Sequence, residues 1–170
     1  MSAEQIERAR RAVSRMAGTI CREVIPGVED LTTLALAFGD EVGSYWSDRG
    51  KRRVGLFQFF LRTSSAWRLE TPERVVCTFD DEKPAGGEVR RHLGELVGQH
   101  VSRVEPLAPA GDLAIEFAND RIVRAICVVR EGACGGDYFF SDMSRNCKES
   151  FQMGPRGIVD FDWPHGANNG

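Results

Sequence analysis

Hydrophobic residues in the first 26 positions recur at steps of three or four, which is the spacing of one face of an α-helix. These positions are Ile6, Ala9, Val13, Met16, Ala17, Ile20 and Val24. Ser2 can cap the start of such a helix, and the Pro26-Gly27 pair is a stop signal. The pattern predicts an amphipathic helix over residues 1–26 whose apolar face packs on the rest of the protein.

Beyond residue 30 the chain changes to short apolar or alternating segments bounded by turn residues, a pattern typical of β-strands. It predicts a first β-unit at 31–81, a helix at 86–98 and a second β-unit at 100–163. The glycine-marked segment "EVGSYWSDRGKRR", residues 41–53, is predicted to be an exposed loop, and residues 164–170 a disordered tail.

The two β-units resemble each other in sequence. "LALAFGDEV" at 34–42 matches "LAIEFANDR" at 113–121, and each is followed by a long apolar segment. "WRLETPERVVCTFD" at 67–80 then matches "FQMGPRGIVDFD" at 151–162, which pairs Trp67 with Phe151. The shared order of these elements predicts an internal duplication in which the helix at 86–98 connects the two copies.

These elements predict a single α+β domain over residues 1–165. It contains the N-terminal helix and two related antiparallel β-units, which form one sheet system or a partly closed barrel. A chain of 170 residues suits one domain, since 42% of them are hydrophobic and 28% are charged.

The charge and hydropathy of the chain exclude some classes of function. A net charge of -3 provides no broad basic field, which disfavours nucleic-acid binding and adhesion to anionic membranes. No segment approaches the roughly eighteen apolar residues that a membrane span needs, and no apolar signal region follows the N-terminal arginines. We therefore expect a cytoplasmic protein, and the preference for arginine over lysine suggests a GC-rich bacterial source.

The five cysteines are odd in number and contain no C-x-x-C pair, which indicates neither a disulfide framework nor a zinc finger. The three histidines, His92, His100 and His165, have no spacing typical of metal ligands. No metal or other cofactor is predicted.

The strongest candidate nucleophile is Cys134 in "GACGGD", residues 132–137. The glycines around it would let backbone N–H groups approach an oxyanion, and His100 or His165 would act as the base. The alternative interpretation is a hairpin loop with an exposed thiol.

Candidate binding residues lie in the segment 41–53. They are Tyr45, Trp46, Arg49, Arg52 and Arg53. Aromatic side chains beside cations are typical of interface hot spots and of single-stranded nucleic-acid sites. Because the chain is acidic overall, a protein partner is favoured over RNA; alternatively, Trp46 folds back on the sheet and the loop is only solvated.

Trp67, Arg68 and Asp80 are predicted to be structural. An aromatic residue recurs at the position matched to Trp67 while the arginine does not recur, which favours a packing role for the indole. Alternation places Arg68 on the opposite side of the strand, where Asp80 or Asp81 is predicted to pair with it.

The segments "AWRLETP" and "GDLAIEF", the second followed by Asn119 and Asp120, resemble motifs of a group of small uncharacterised bacterial proteins. These proteins share a W-R-[LI] corner and a G-D-L-x-[IL]-x-F-x-[ND] strand, and the likeness covers about residues 31–130. The resemblance implies an accessory or immunity-type component and supplies no catalytic residues.

Together the patterns predict a non-catalytic, cytoplasmic bacterial protein-binding domain, of the kind that neutralises a toxin. Two alternatives are a cysteine-dependent hydrolase using Cys134 and a small-molecule-binding module between the two β-units. A ligand would raise the thermal stability of such a module by mass action.

Overall fold

The computed structural model is α+β, with an N-terminal helix, a second short helix and two antiparallel sheets that do not close into a barrel. The predicted tail lies outside the described residues. These are residues 2–27, 33–46, 53–64, 66–81, 87–108, 111–127, 138–144, 149–154 and 157–160.

The helices are α1, Ala3–Val13, continued by a 3-10 turn at Ser14–Met16, and α2, Gly87–Gly94. The first strands are β1 Cys21–Pro26, β2 Leu34–Trp46, β3 Arg53–Thr63, β4 Trp67–Glu70 and β5 Val75–Thr78. The later strands are β6 Val101–Leu107, β7 Asp112–Phe117, β8 Ile122–Ala125, β9 Tyr138–Asp142, β10 Glu149–Gly154 and β11 Gly157–Asp160.

Each sheet takes strands from both halves of the chain. The six-stranded sheet has the order β1-β2-β3-β9-β10-β11, and the five-stranded sheet has the order β5-β4-β8-β7-β6. The chain therefore changes sheet after β3 and again after β8. The sequence predicted two β-units, one after the other along the chain. The structure instead pairs strands of one half with strands of the other, because β3 pairs with β9 and β4 pairs with β8.

The two helices lie at the open sides between the sheets. Helix α1 contacts β6 and β11, one edge strand of each sheet, and α2 contacts β5 and β1, the other two edge strands. A capping box begins α1: Ser2 Oγ accepts from the Gln5 N–H at 3.2 Å, and Gln5 Oε1 accepts from the Ser2 N–H at 3.1 Å. The helices cover apolar edges that would otherwise be exposed to solvent.

One corner joins the two sheets through backbone hydrogen bonds. Ile20 and His100 form an antiparallel bridge, and four N–H donors flank it. The four bonds are Gly18 N to Val101 O at 2.8 Å, Gly98 N to Cys21 O at 2.8 Å, Cys21 N to Gln99 O at 2.9 Å and Val101 N to Thr19 O at 2.8 Å. Exchanging residues 18–21 for 98–101 leaves this set of bonds unchanged, so the corner has local two-fold symmetry.

The two-fold relation of the corner continues into the strands β1 and β6 and their partners β2 and β7. Cys21 lies opposite Phe38 in β1–β2, and Val101 lies opposite Phe117 in β6–β7. A bulge follows the first residue of each of these pairs. The rings of Phe38 and Phe117 stack with centroids 6.4 Å apart where the two sheets meet.

The core fills the space between the sheets. Its largest fully buried side chains are Trp67, Tyr138, Phe38, Phe59, Phe140, Phe151, Met16, Leu34, Leu36, Leu61, Leu69 and Leu93. They come from both sheets and both helices, and their burial provides the main stabilising free energy of the fold.

The prediction of one helix over residues 1–26 is wrong after Met16. Gly18 adopts φ +83°, a left-handed conformation that ends the helix, and Cys21–Pro26 forms β1. The helical spacing of Ile20 and Val24 is overridden because residues 21–26 pair with β2, a contact that local periodicity does not record.

The prediction of a loop at 41–53 is also wrong at its start. β2 continues to Trp46 and remains paired with β3 from Arg53 onward. Two register shifts lie between Phe38 and Gly43, and Gly43 is one of the glycines that suggested a loop.

The match of Trp67 with Phe151 does not hold in the strand registers. Trp67 lies opposite Ala125 on β8, and the residue in the corresponding place is Tyr138, opposite Thr63 on β3. Phe151 lies on the next strand, in the place that corresponds to Cys77. The match at 34–42 and 113–121, in contrast, agrees with the registers of β2 and β7.

Alanine at Gly18 or Gly98 is expected to lower the free energy of unfolding by about 1–2 kcal/mol in each case. Both residues have positive φ, +83° and +85°, although a Cβ at either site would meet nothing within 4 Å. Gly94→Ala is the matched control, because that site is equally open but has no positive φ. Urea titrations would measure the three variants, and an equal loss in Gly94→Ala would contradict the backbone explanation.

Candidate functional site

The outer half of the β2–β3 hairpin extends beyond the sheet. β1 pairs with β2 only as far as Phe38, and β9 pairs with β3 only from Phe59. No other strand that the structure describes pairs with Glu41–Trp46 or Arg53–Phe57. We call these two segments the arm.

One face of the arm is polar and held by cross-strand bonds. Arg53 Nη2 donates to Glu41 Oε1 at 2.7 Å, and Arg53 Nε donates to Ser44 Oγ at 2.9 Å. The Phe57 ring lies over Gly55, where an added Cβ would come within 3.2 Å of it. The two hydrogen bonds of Arg53 link the two strands of the arm.

The opposite face of the arm is apolar. Tyr45 lies directly opposite Val54, and Leu56 is two residues further along the same strand. Tyr45 is 48% exposed, and Val54 and Leu56 are half-buried. An isolated two-stranded ribbon is marginally stable in water, so this face is suited to contact with another surface.

The structure brings together only part of the predicted binding set. Tyr45 and Arg53 lie on opposite faces of the arm, and Trp46 is the last residue of β2. Arg49 and Arg52 lie outside the described residues, as do Cys134 and His165. His100 lies at the corner between the sheets, with Nδ1 3.1 Å from the Gly18 carbonyl oxygen.

Trp67 is fully buried between the sheets, and Arg68 lies on the outer face of β4. Arg68 forms an ion pair with Glu70 and not with Asp80 or Asp81. The register explains this difference, because Thr78 is the residue opposite Arg68. Asp81 instead accepts a hydrogen bond from the Thr78 N–H at 2.6 Å and closes the end of β5.

A cavity of about 280 Å³ lies between β5 and α2, and sequence reasoning did not identify it. Its lining residues are Val76, Cys77, Asp81, Glu88, Val89 and His92. Burial, reinforced by the nearby Asp81 carboxylate, raises the pKa of the Cys77 thiol to about 11. Since the thiolate is the nucleophilic form, the cavity holds Cys77 in its unreactive state.

Glu95 lies close to this cavity and lines a second, wider cleft. Its carboxylate forms an ion pair with Arg121 and lies 3.4 Å from His92 Nδ1. Burial raises the pKa of Glu95, but the hydrogen bond and charge of Arg121 outweigh it and hold the pKa below its ordinary value. The ion pair ties α2 to the β7–β8 turn, where Asp120 has φ 60°. This arrangement is structural, because each charge already has a partner.

The described residues contain no group of three or more His, Cys, Asp or Glu side chains that could hold a metal ion. Among the helices in the described part of the chain, none is long and apolar enough to cross a membrane.

Comparison of the chain with protein-family models, curated proteins and solved structures finds no significant match. The resemblance to small bacterial immunity-type proteins stays a prediction, and the function is argued below from the geometry alone.

The raised pKa of Cys77 predicts a loss of stability in alkali. Above the ordinary thiol value of 9.0 the unfolded chain ionises while the folded chain keeps its proton, so the free energy of unfolding falls as pH rises from 9 towards 11. In Cys77→Ala this fall should be shallower, because one of the buried thiols is gone. Urea titrations at several pH values would measure it. Val76→Ala is the control, and an identical slope in Cys77→Ala and the wild type would refute the assignment.

Proposed function

We propose that this protein is a non-catalytic protein-binding domain and that the arm carries its contact surface. The observation that supports this proposal is the arm itself: two strands with an apolar face and no strand beyond them in the described structure. Unprotected edges of this kind tend to pair with other chains, so proteins usually shorten, charge or cover them. A long uncovered arm is consistent with an edge kept for a partner.

The chemistry of the arm agrees with a protein interface. Tyrosine supplies a large, rigid contact area at low entropic cost and is enriched among hot spots. Arg53 already has Glu41 as its partner, so the described cation of the arm is not available for a phosphate backbone. Toxin neutralisation, implied by the resemblance, is one form of this binding function, and the identity of the partner would test it.

A photo-crosslinking amino acid at Tyr45 is expected to give an adduct with one protein in the cells that produce this chain. The same amino acid at Val75 is the matched control, since Val75 is 50% exposed on β5 of the other sheet. Gel electrophoresis and mass spectrometry would detect the adduct. Equal adducts from both positions, or none from either, would exclude the arm as the contact surface.

Truncation of the aromatic ring should then weaken the interaction with the captured protein. For Tyr45→Ala we expect about a thirtyfold loss of affinity, the equivalent of a hot spot of about 2 kcal/mol. Val75→Ala should change the affinity by less than about twofold, because a peripheral contact contributes little.

We also propose that the chain arose by duplication of a unit containing one helix and five strands. Buried residues of α1 and its 3-10 turn have buried counterparts in or just after α2 at a spacing of 80 residues: Ala9 and Val89, Val13 and Leu93, and Met16 and Leu96. The exposed Gly18 and Gly98, both with positive φ, have the same spacing. In this proposal α2 begins the second copy and is not a connector. The shared registers of β1–β2 and β6–β7 support the same division.

Separate expression of residues 1–81 and 87–170 would test this division. Each fragment lacks strands that its sheet takes from the other half, so neither should fold alone, whereas together they should co-purify with native-like circular dichroism. Independent folding of either fragment would contradict the exchange of strands between two copies.

A further inference from the structure

Arg62 and Arg124 occupy equivalent places on the outer faces of the two sheets. Arg62 on β3 lies opposite Ala35 on one side and Phe139 on the other. Arg124 on β8 lies opposite Ala114 and Arg68. Each arginine therefore lies on a central strand with an alanine directly opposite on the neighbouring strand. Their surroundings can be compared directly.

The two arginines differ in their partners. Arg124 Nε donates to Glu70 Oε2 at 2.9 Å, and Glu70 is only 9% exposed. The place that corresponds to Glu70 is occupied by Ser141, whose hydroxyl lies 2.8 Å from the Ser150 hydroxyl. Arg62 is exposed and forms no ion pair with any residue in the described ranges. The six-stranded sheet thus has the arginine but has a serine at the place of the carboxylate.

Apolar side chains lie beside Arg62, and the polar residues of the same face, Glu23 and Gln58, form no ion pair with it in the described structure. Ile25, in line with it across Ala35, is 49% exposed, and Phe60 is half-buried on the same face of β3. Alternation along β3 continues this surface through the polar Gln58 into Leu56 and Val54 of the arm. We call the surface formed by Ile25, Tyr45, Val54, Leu56, Phe60 and Arg62 the Arg62 face.

The outer face of the five-stranded sheet is different in kind. Glu70 bridges Arg68 and Arg124, and Arg103 pairs with Glu105 at 2.5 Å. These charges neutralise one another within the chain. The Arg62 face has no such neutralisation in the described structure.

We infer that the Arg62 face binds a protein segment that presents a carboxylate among apolar side chains. The partner's carboxylate would take at Arg62 the place that Glu70 takes at Arg124. Covering Arg62 with an apolar surface alone would leave a desolvated, unpaired charge, which is unfavourable, whereas a carboxylate can form two parallel hydrogen bonds with a guanidinium. One cation is too few for a nucleic acid, whose binding requires several phosphate contacts. This inference rests on the binding function proposed above and specifies its partner.

Selection of short random peptides displayed on phage against the intact protein would test this partner chemistry without the natural partner. We expect enrichment of peptides with Asp or Glu flanked by apolar residues. Arg62→Glu should lose these peptides and enrich Lys- or Arg-containing ones, because the charge at position 62 is reversed. Arg74→Glu is the matched control: Arg74 is also exposed and forms no ion pair in the described structure, but it lies on the β4–β5 turn.

The affinity of a selected peptide should fall at least about tenfold in Arg62→Gln and stay within about twofold in Arg74→Glu. Ser141→Glu, if it folds, should also lose the peptide, because it supplies in the chain the carboxylate that the partner provides. Selected peptides without a carboxylate, or the same peptides enriched by the wild type and Arg62→Glu, would overturn the inference. If instead the proposal that the arm is the contact surface is wrong, the crosslink at Tyr45 will be missing.

Discussion

The backbone hydrogen bonds between residues 18–21 and 98–101 are the interaction on which the rest of this structure depends. They fix the edge strands β1 and β6 against each other, and the stacked rings of Phe38 and Phe117 lie directly behind them. Beside this corner the edge strands of the two sheets leave open sides, which a helix can cover. α1 and α2 fill these places, and the ion pair of Arg15 with Glu149, at 2.7 Å, ties α1 to β10. Gly18 and Gly98 permit the left-handed turns that start both strands.

Strand exchange between the halves explains why the two outer faces have similar frameworks and different chemistry. The same register places an arginine on β3 and on β8, and the neighbouring strands decide what it meets. On β4 the neighbours are Arg68 and Glu70, which complete an ion-pair cluster; on β9 they are Phe139 and Ser141, which do not. A face that is neutral within the chain has little to gain from a partner, whereas a face with an unpaired charge gains specificity from one.

Sequence patterns predicted the positions whose environment is determined locally. The α+β class, the helix start at Ser2, the second helix and most strands follow from hydrophobic spacing and caps. Cys21, Cys77 and Cys127 lie within segments of regular hydrophobic spacing, and all three are buried. The predictions were wrong where pairing with a distant segment overrides the local preference. Cys21–Pro26 continues a helical pattern but forms a strand paired with β2. Glu41–Trp46 contains turn residues but stays paired with β3. Arg62 is recognisable in the sequence as the lone charge in the apolar strand "VGLFQFFLRT".

The amino-acid sequence by itself determined which segments are apolar and where helices begin. Tertiary structure alone decided that β3 pairs with β9 and β4 with β8, that Glu70 reaches Arg124, and that Arg62 has no carboxylate beside it in the described structure. The physical reason is that periodicity records only which side of a strand a residue occupies. The identity of the neighbour across the sheet depends on pairing between segments far apart in the chain, and a single sequence carries no direct record of that pairing.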